Sequence, residues 1–126
     1  MLKDIVFAGQ VLDYPANSTI LREGEPAAGM HMLLRGQVYL YKVGLQGIES
    51  IVYVVKSVVM FNETTVIDGQ PNPVTAIAER ECTTWQVSPA RYQMLMRRYP
   101  EVGIGFPNHR IAALAATVPE AISRSI

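Results

Sequence analysis

The chain has 126 residues, is 49% hydrophobic and 17% charged, and so has the makings of one domain with one core rather than a disordered segment. Lysine plus arginine number 11 and aspartate plus glutamate number 11, a zero formal net charge that lacks the basic footprint of a domain holding nucleic acid by itself and leaves little repulsion between copies. Cys82 is the only cysteine, which excludes an internal disulfide and fits a reducing compartment.

Met1 to Phe7 carry a lysine but neither a long apolar run nor a cleavage site, so no signal peptide is read there. Short strands between turn signals follow. Gln10 to Tyr14 ends at Pro15-Ala16-Asn17, and Thr19 to Arg22 ends at Glu23-Gly24-Glu25-Pro26. Met30 to Leu34 runs into an Arg35-Gly36 turn. Gln37 to Val43 alternates with a period near two, Gly44 and Gly47 bracket the next turn, and Glu49 to Val55 is rich in β-branched and aromatic residues. Val58 to Phe61, Val74 to Ala78 and Thr83 to Val87 complete the set. Ile51 to Phe61 is the longest apolar-rich region and Lys56 interrupts it, so no stretch spans a bilayer and a cytoplasmic location is expected. Regularly spaced short strands with Gly/Pro turns predict a mainly β sandwich or jelly roll.

The period changes after Ser88. Serine as N-cap and Pro89 at the first helical position open a helix, with Tyr92, Leu95 and Met96 on one face and Pro100 at its end. Gly103, Gly105 and Pro107 make poor helix material. From Asn108 onward Ile111, Leu114, Val118 and Ala121 recur at helical spacing, with Pro119 kinking the pattern. Ile111, Leu114 and Val118 are read as a dimer seam, because a stripe on a terminal helix has little chain left to cover it.

Several signatures in order resemble the cyclic-nucleotide-binding domain. Leu21-Arg22-Glu23-Gly24-Glu25-Pro26-Ala27 is similar to its early Glu-Gly-Glu/Asp-Pro-Ala turn, and Met32 to Val38 to the next strand and its Gly-x-Val exit. Gly47-Ile48-Glu49 resembles its Gly-x-Glu hairpin; Cys82 and the Ser88 to Tyr92 helix start also sit where the family has them. Phe61-Asn62-Glu63 followed by Pro73-Val74-Thr75-Ala76 resembles the phosphate-binding cassette, which reads Phe-Gly-Glu and then Arg-Ser/Thr-Ala. The resemblance covers roughly residues 7 to 100 and is nearest to the bacterial catabolite-activator and fumarate–nitrate-regulator (CRP/FNR) family of transcription factors. It implies a double-stranded β-helix, or jelly roll, with C-terminal helices. Residues 1–100 would form the effector-sensing roll with its cassette around 61–76, and residues 101–126 the C-terminal helix and dimer seam. The DNA-binding domain of such regulators has no counterpart in this chain.

In the family the glutamate accepts from the ribose hydroxyl and the arginine pairs with the cyclic phosphate. Here Glu63 and Thr75 remain, while Val74 fills the arginine position and Asn62 the glycine position. A phosphate entering a half-buried pocket needs a charged, two-pronged partner, and valine offers neither charge nor donor. Arg80 lies beyond the strand in a turn. Asn62, Glu63, Thr64, Val74 and Thr75 are therefore the candidate ligand-binding residues, for an effector other than cAMP. Glu63 reads equally as a cap for a short cassette helix.

The cofactor stays unknown. His31, His109 and Cys82 could ligate haem, but no Cys-x-x-Cys or His-x-x-x-His spacing supports a metal, and His31 on a core strand reads as structural. No nucleophile elbow, Walker loop or dinucleotide fingerprint points to an enzyme. The resemblance thus implies the effector-sensing domain of a dimeric CRP/FNR-type transcriptional regulator that meets DNA only through another domain and has no membrane role. A stand-alone module with a vestigial pocket, and a cyclic-nucleotide receptor with a relocated phosphate partner, are the alternatives.

Overall fold

The computed structural model describes residues 1–43, 47, 49–103, 108–115 and 123–125. Helix α1 (Leu2–Ala8) precedes strands β1 (Gln10–Tyr14), β2 (Thr19–Leu21), β3 (Met30–Arg35), β4 (Gln37–Val43), β5 (Glu49–Lys56) and β6 (Met60–Phe61). Helix α2 (Thr65–Asp68) leads to β7 (Thr75–Ala78) and β8 (Cys82–Val87). Then come α3 (Pro89–Arg98), a 3-10 turn at Pro100–Gly103, α4 (Asn108–Ala115) and β9 (Ser123–Ser125).

The strands form two sheets, ordered β6-β3-β8-β1-β9 and β2-β7-β4-β5. Pairing is antiparallel except for β9, which runs parallel to β1 with Val11 opposite Ser123. This is the expected mainly β roll. The strand assignments hold with small shifts at the ends, the largest at β6, which begins at Met60 rather than Val58. Nothing in residues 1–9 announces α1, and β9 lies within residues 101–126, the stretch expected to form the C-terminal helix.

Alternation along the first sheet divides the interior in two. Met30 and Met32 of β3 and Trp85 and Val87 of β8 face the helices, in one buried cluster with Ile5 and Val6 of α1 and Leu95 of α3. Leu12, Tyr14, Leu33, Phe61 and Cys82 face the roll lumen, where they meet Val38, Val55, Ala76 and Ala78 of the second sheet. α1 is fastened by the Trp85 indole, whose Nε1–H donates to the Val6 carbonyl at 3.0 Å. Ser88 caps α3 as expected, its Oγ accepting from the Arg91 N–H.

α4 departs from expectation. Ile111 is 0% exposed and lies in the helix-side core with Ala112 and Ala115, and α4 packs on α1 and β3. Ile111 is therefore enclosed by its own chain and offers no surface to a partner, because α1, unforeseen in the sequence, covers the apolar face. Leu114 is half-buried against the same cluster. Val118, Pro107, Pro119 and Ala121 lie outside the described residues. Among the described residues no helix is long and apolar enough to cross a membrane.

Candidate functional site

The cassette is the connection from β6 to β7. Asn62 follows Phe61 with φ of +64°, in the left-handed region. Glycine adopts that region freely and asparagine tolerates it better than other side chains, so the replacement keeps the turn. The Asn62 carbonyl accepts from Thr65 Oγ1 at 2.7 Å, which starts α2.

The asparagine side chain adds what glycine could not. Asn62 Nδ2 donates to the Gly29 carbonyl at 3.0 Å and to Asn72 Oδ1 at 2.9 Å. Asn72 Nδ2 donates in turn to the Arg22 carbonyl at 2.9 Å. The Asn72 backbone exchanges two further bonds with the same turn, donating to the Glu25 carbonyl and accepting from the Gly24 N–H. Both ends of the cassette are thus tied to the Arg22–Gly29 turn through two buried amides. Gly29 is obligatory there: its φ is +139°, and an added Cβ would sit 2.0 Å from the Val87 carbonyl oxygen. Asn62 Oδ1 is buried without a hydrogen-bond partner.

The arginine position is occupied as the sequence implies. Val74 is half-buried and supplies no donor. Thr75 Oγ1 already accepts from the Glu23 N–H at 2.9 Å. The cation beside this position is Lys42, which sequence reasoning missed: its Nζ donates to the Pro73 carbonyl at 3.1 Å and lies 3.8 Å from the Glu23 carboxylate. Antiparallel pairing of Tyr41 with Thr75 brings Lys42 there, a neighbourhood that no local motif encodes. Arg80 is held by Glu79 at 2.6 Å instead. Glu63 and Thr64 are exposed on the outer side of the cassette.

The lumen carries a second polar group. His31 is buried, stacked on Phe61 with ring centroids 5.0 Å apart. Its Nδ1 lies 3.1 Å from Thr84 Oγ1 and its Nε2 3.3 Å from Gln86 Nε2. With the Gln86 amide donating, Nδ1 carries the ring proton and donates to Thr84. Burial pushes His31 down to about 4 and Tyr14, hydrogen-bonded to Thr84, up to about 12. Both ring nitrogens of His31 are engaged, so it is the structural histidine expected. His109 is exposed, and burial pushes the Cys82 thiol up. A cavity of about 150 Å³ lies between the Arg22–Gly29 turn and the cassette, lined by Arg22, Gly29, His31, Asn62, Asn72 and Gln86 among others. Sites for drug-sized molecules are typically about 300–1,000 Å³.

The fold is shared with solved regulators. The Thermus thermophilus catabolite activator protein superposes with a TM-score of 0.75 at 23% identity, over 90% of this chain and 53% of that one. The sensor domain of the transcriptional regulator DNR from Pseudomonas aeruginosa gives 0.69 at 23% identity, over 90% and 71%. The c-di-GMP responsive global regulator CLP from Xanthomonas campestris gives 0.72 at 17% identity, over 91% and 55%. Among curated relatives, patatin-like phospholipase domain-containing protein 7 of Rattus norvegicus is 21% identical over 108 residues, 85% of this chain but 8% of that protein. The human protein 6 of that name is 26% identical over 99 residues, 78% of this chain and 7% of that protein. The chain therefore spans about half of the catabolite activator and under a tenth of these phospholipase-domain proteins. Residues 11–99, which hold the roll, the cassette and α3 together, match the cyclic nucleotide-binding domain family, and the chain belongs to that family.

Proposed function

We propose that this chain is the effector-sensing domain of a CRP/FNR-type transcriptional regulator, and that its effector is not a cyclic nucleotide held by a phosphate–arginine pair. The observation that carries this reading is the self-bonded cassette: Val74 lacks a donor, Thr75 already accepts from Glu23, and Asn62 and Asn72 are joined to each other across the cassette. Effector occupancy beside Asn62 and Glu63 would displace α2. Because α2 packs on α3, and α3 on α1, the shift has a contiguous route into the helices. DNA contact would come from a further domain, and the working unit would be a cytoplasmic homodimer.

Native mass spectrometry of the protein from its own source, followed by titration with cAMP and cGMP, tests the reading. A co-purified small molecule and no shift with either nucleotide are expected. A one-to-one nucleotide complex that weakens on Glu63→Gln would sink the proposal and favour a receptor with a relocated phosphate partner, for which Lys42 is the nearby cation. The filled lumen and small cavity favour one second reading, a module whose pocket is vestigial. A clean apo mass under every condition would support it.

A further inference from the structure

β5 ends its sheet: in the order β2-β7-β4-β5 its hydrogen-bonded neighbour is β4, and its other edge is unpaired among the described residues. It is eight residues long. Ile51 is 52% exposed, Tyr53 57% and Val54 38%. A long apolar edge is a template for another strand unless something covers it.

The register of β5 against β4 has seven paired positions: Glu49, Ser50, Ile51, Tyr53, Val54, Val55 and Lys56. Val52 has no partner, where the register shifts between Leu40 and Tyr41. That bulge has a consequence for symmetry. In an unbulged strand of eight residues, the midpoint would fall between Val52 and Tyr53. A twofold pairing there would set residues of one face against residues of the other, which a pleated sheet forbids. With Val52 left out, Tyr53 is the middle of an odd number of positions, and pairing about it keeps every residue on its own face.

We infer that β5 is a self-pairing edge, joining two copies of this chain antiparallel across a twofold axis at Tyr53. The sheets of the two copies then continue into one. Tyr53 meets Tyr53 of the second copy, Ile51 meets Val54, Ser50 meets Val55, and Glu49 meets Lys56. The ends of the strand are opposite in charge, so one interface sets two acidic–basic pairs across the strands, with the Ile51–Val54 and Tyr53–Tyr53 contacts at its centre. An isologous contact needs such self-complementarity, and zero net charge leaves little to oppose it. A bulge disfavours pairing with a regular strand, whereas a second copy brings the same bulge to the same axis. Ile111, enclosed in its own chain, does not compete for this role.

Sedimentation equilibrium of the full chain and its charge variants tests the pairing. The wild type is expected to dimerise. Lys56→Glu and Glu49→Lys should each weaken the dimer by roughly tenfold or more, since each sets like charges opposite one another twice. Mixing the two variants should restore a heterodimer, because every opposing pair is then acidic–basic, and the Glu49→Lys/Lys56→Glu double variant should again pair with itself. Unchanged circular dichroism in each variant separates lost pairing from lost folding. A monomeric wild type overturns the inference and leaves the edge to an extended segment of another protein. A dimer indifferent to both charge changes, or one that mixing fails to restore, overturns it by placing the contact elsewhere on the surface.

Discussion

The Asn62 side-chain amide donates to Oδ1 of Asn72 at 2.9 Å, closing the ten-residue span of the cassette on itself. Removing either partner leaves buried acceptors or donors unmade. Asn62→Gly keeps the left-handed turn and loses only the side-chain bonds, so it should cost about 1–2 kcal/mol in urea unfolding. Asn62→Ala should cost about 1 kcal/mol more, because alanine has no local compensation at φ of +64°. Combining Asn62→Gly with Asn72→Ala should be non-additive by at least about 0.5 kcal/mol. Equal stabilities for the alanine and glycine variants would show that backbone conformation is not limiting there.

Ile111 belongs to the core shared by α1, β3 and α4. Ile111→Ala should lower unfolding stability by about 2–5 kcal/mol, independent of protein concentration. If the loss instead appeared only as a change of association state, the helix would be facing outward.

His31 makes stability depend on pH. Its folded pKa, about 4, lies below the unfolded value of about 6.5. The folded state therefore holds the ring neutral while the unfolded chain takes up a proton. The stabilisation is fully present above pH ~6.5 and is lost as pH falls toward the folded pKa, by about 2 kcal/mol between pH 7 and pH 5. Denaturant midpoints across that window check the slope, and His31→Gln should flatten it. A slope unchanged in the variant would assign the effect to other groups.

Thr75 and Glu63 should separate cleanly. Thr75→Val removes the acceptor for the Glu23 N–H and should cost about 1 kcal/mol. Glu63→Gln acts on an exposed side chain and should stay within about 0.5 kcal/mol of wild type. A large loss on Glu63→Gln would mean that the carboxylate holds the cassette rather than serving a ligand.

The site was half legible from the sequence. Phe61-Asn62-Glu63 and Val74-Thr75-Ala76 marked the cassette because they are contiguous motifs. Lys42 and Asn72 carry no local signature, and Glu23 belongs to a separate turn motif; all three enter only because the fold brings distant backbone together. The Asn72 bond to Arg22 spans 50 residues and the Glu23 bond to Thr75 spans 52. Ile111, read as a seam residue, turned out to be enclosed by its own chain for a related reason. The spacing of Ile111 and Leu114 says that α4 has an apolar face, which is true of a helix covered by its own chain and of one covered by a partner.

Periodicity, turn residues and caps fixed the strands, the roll and the start of α3, since each depends on near neighbours: alternation for β4, Pro and Gly breaks between strands, Ser88-Pro89 for the helix. Only the tertiary structure decided which surfaces those elements cover. α1 lies over Trp85, joined by a bond across 79 residues. α4 turns Ile111 inward, and Asn62 finds Asn72. Burial and pairing between distant segments are settled by the shape that the whole chain makes, because apolar area leaves water wherever complementary faces can meet.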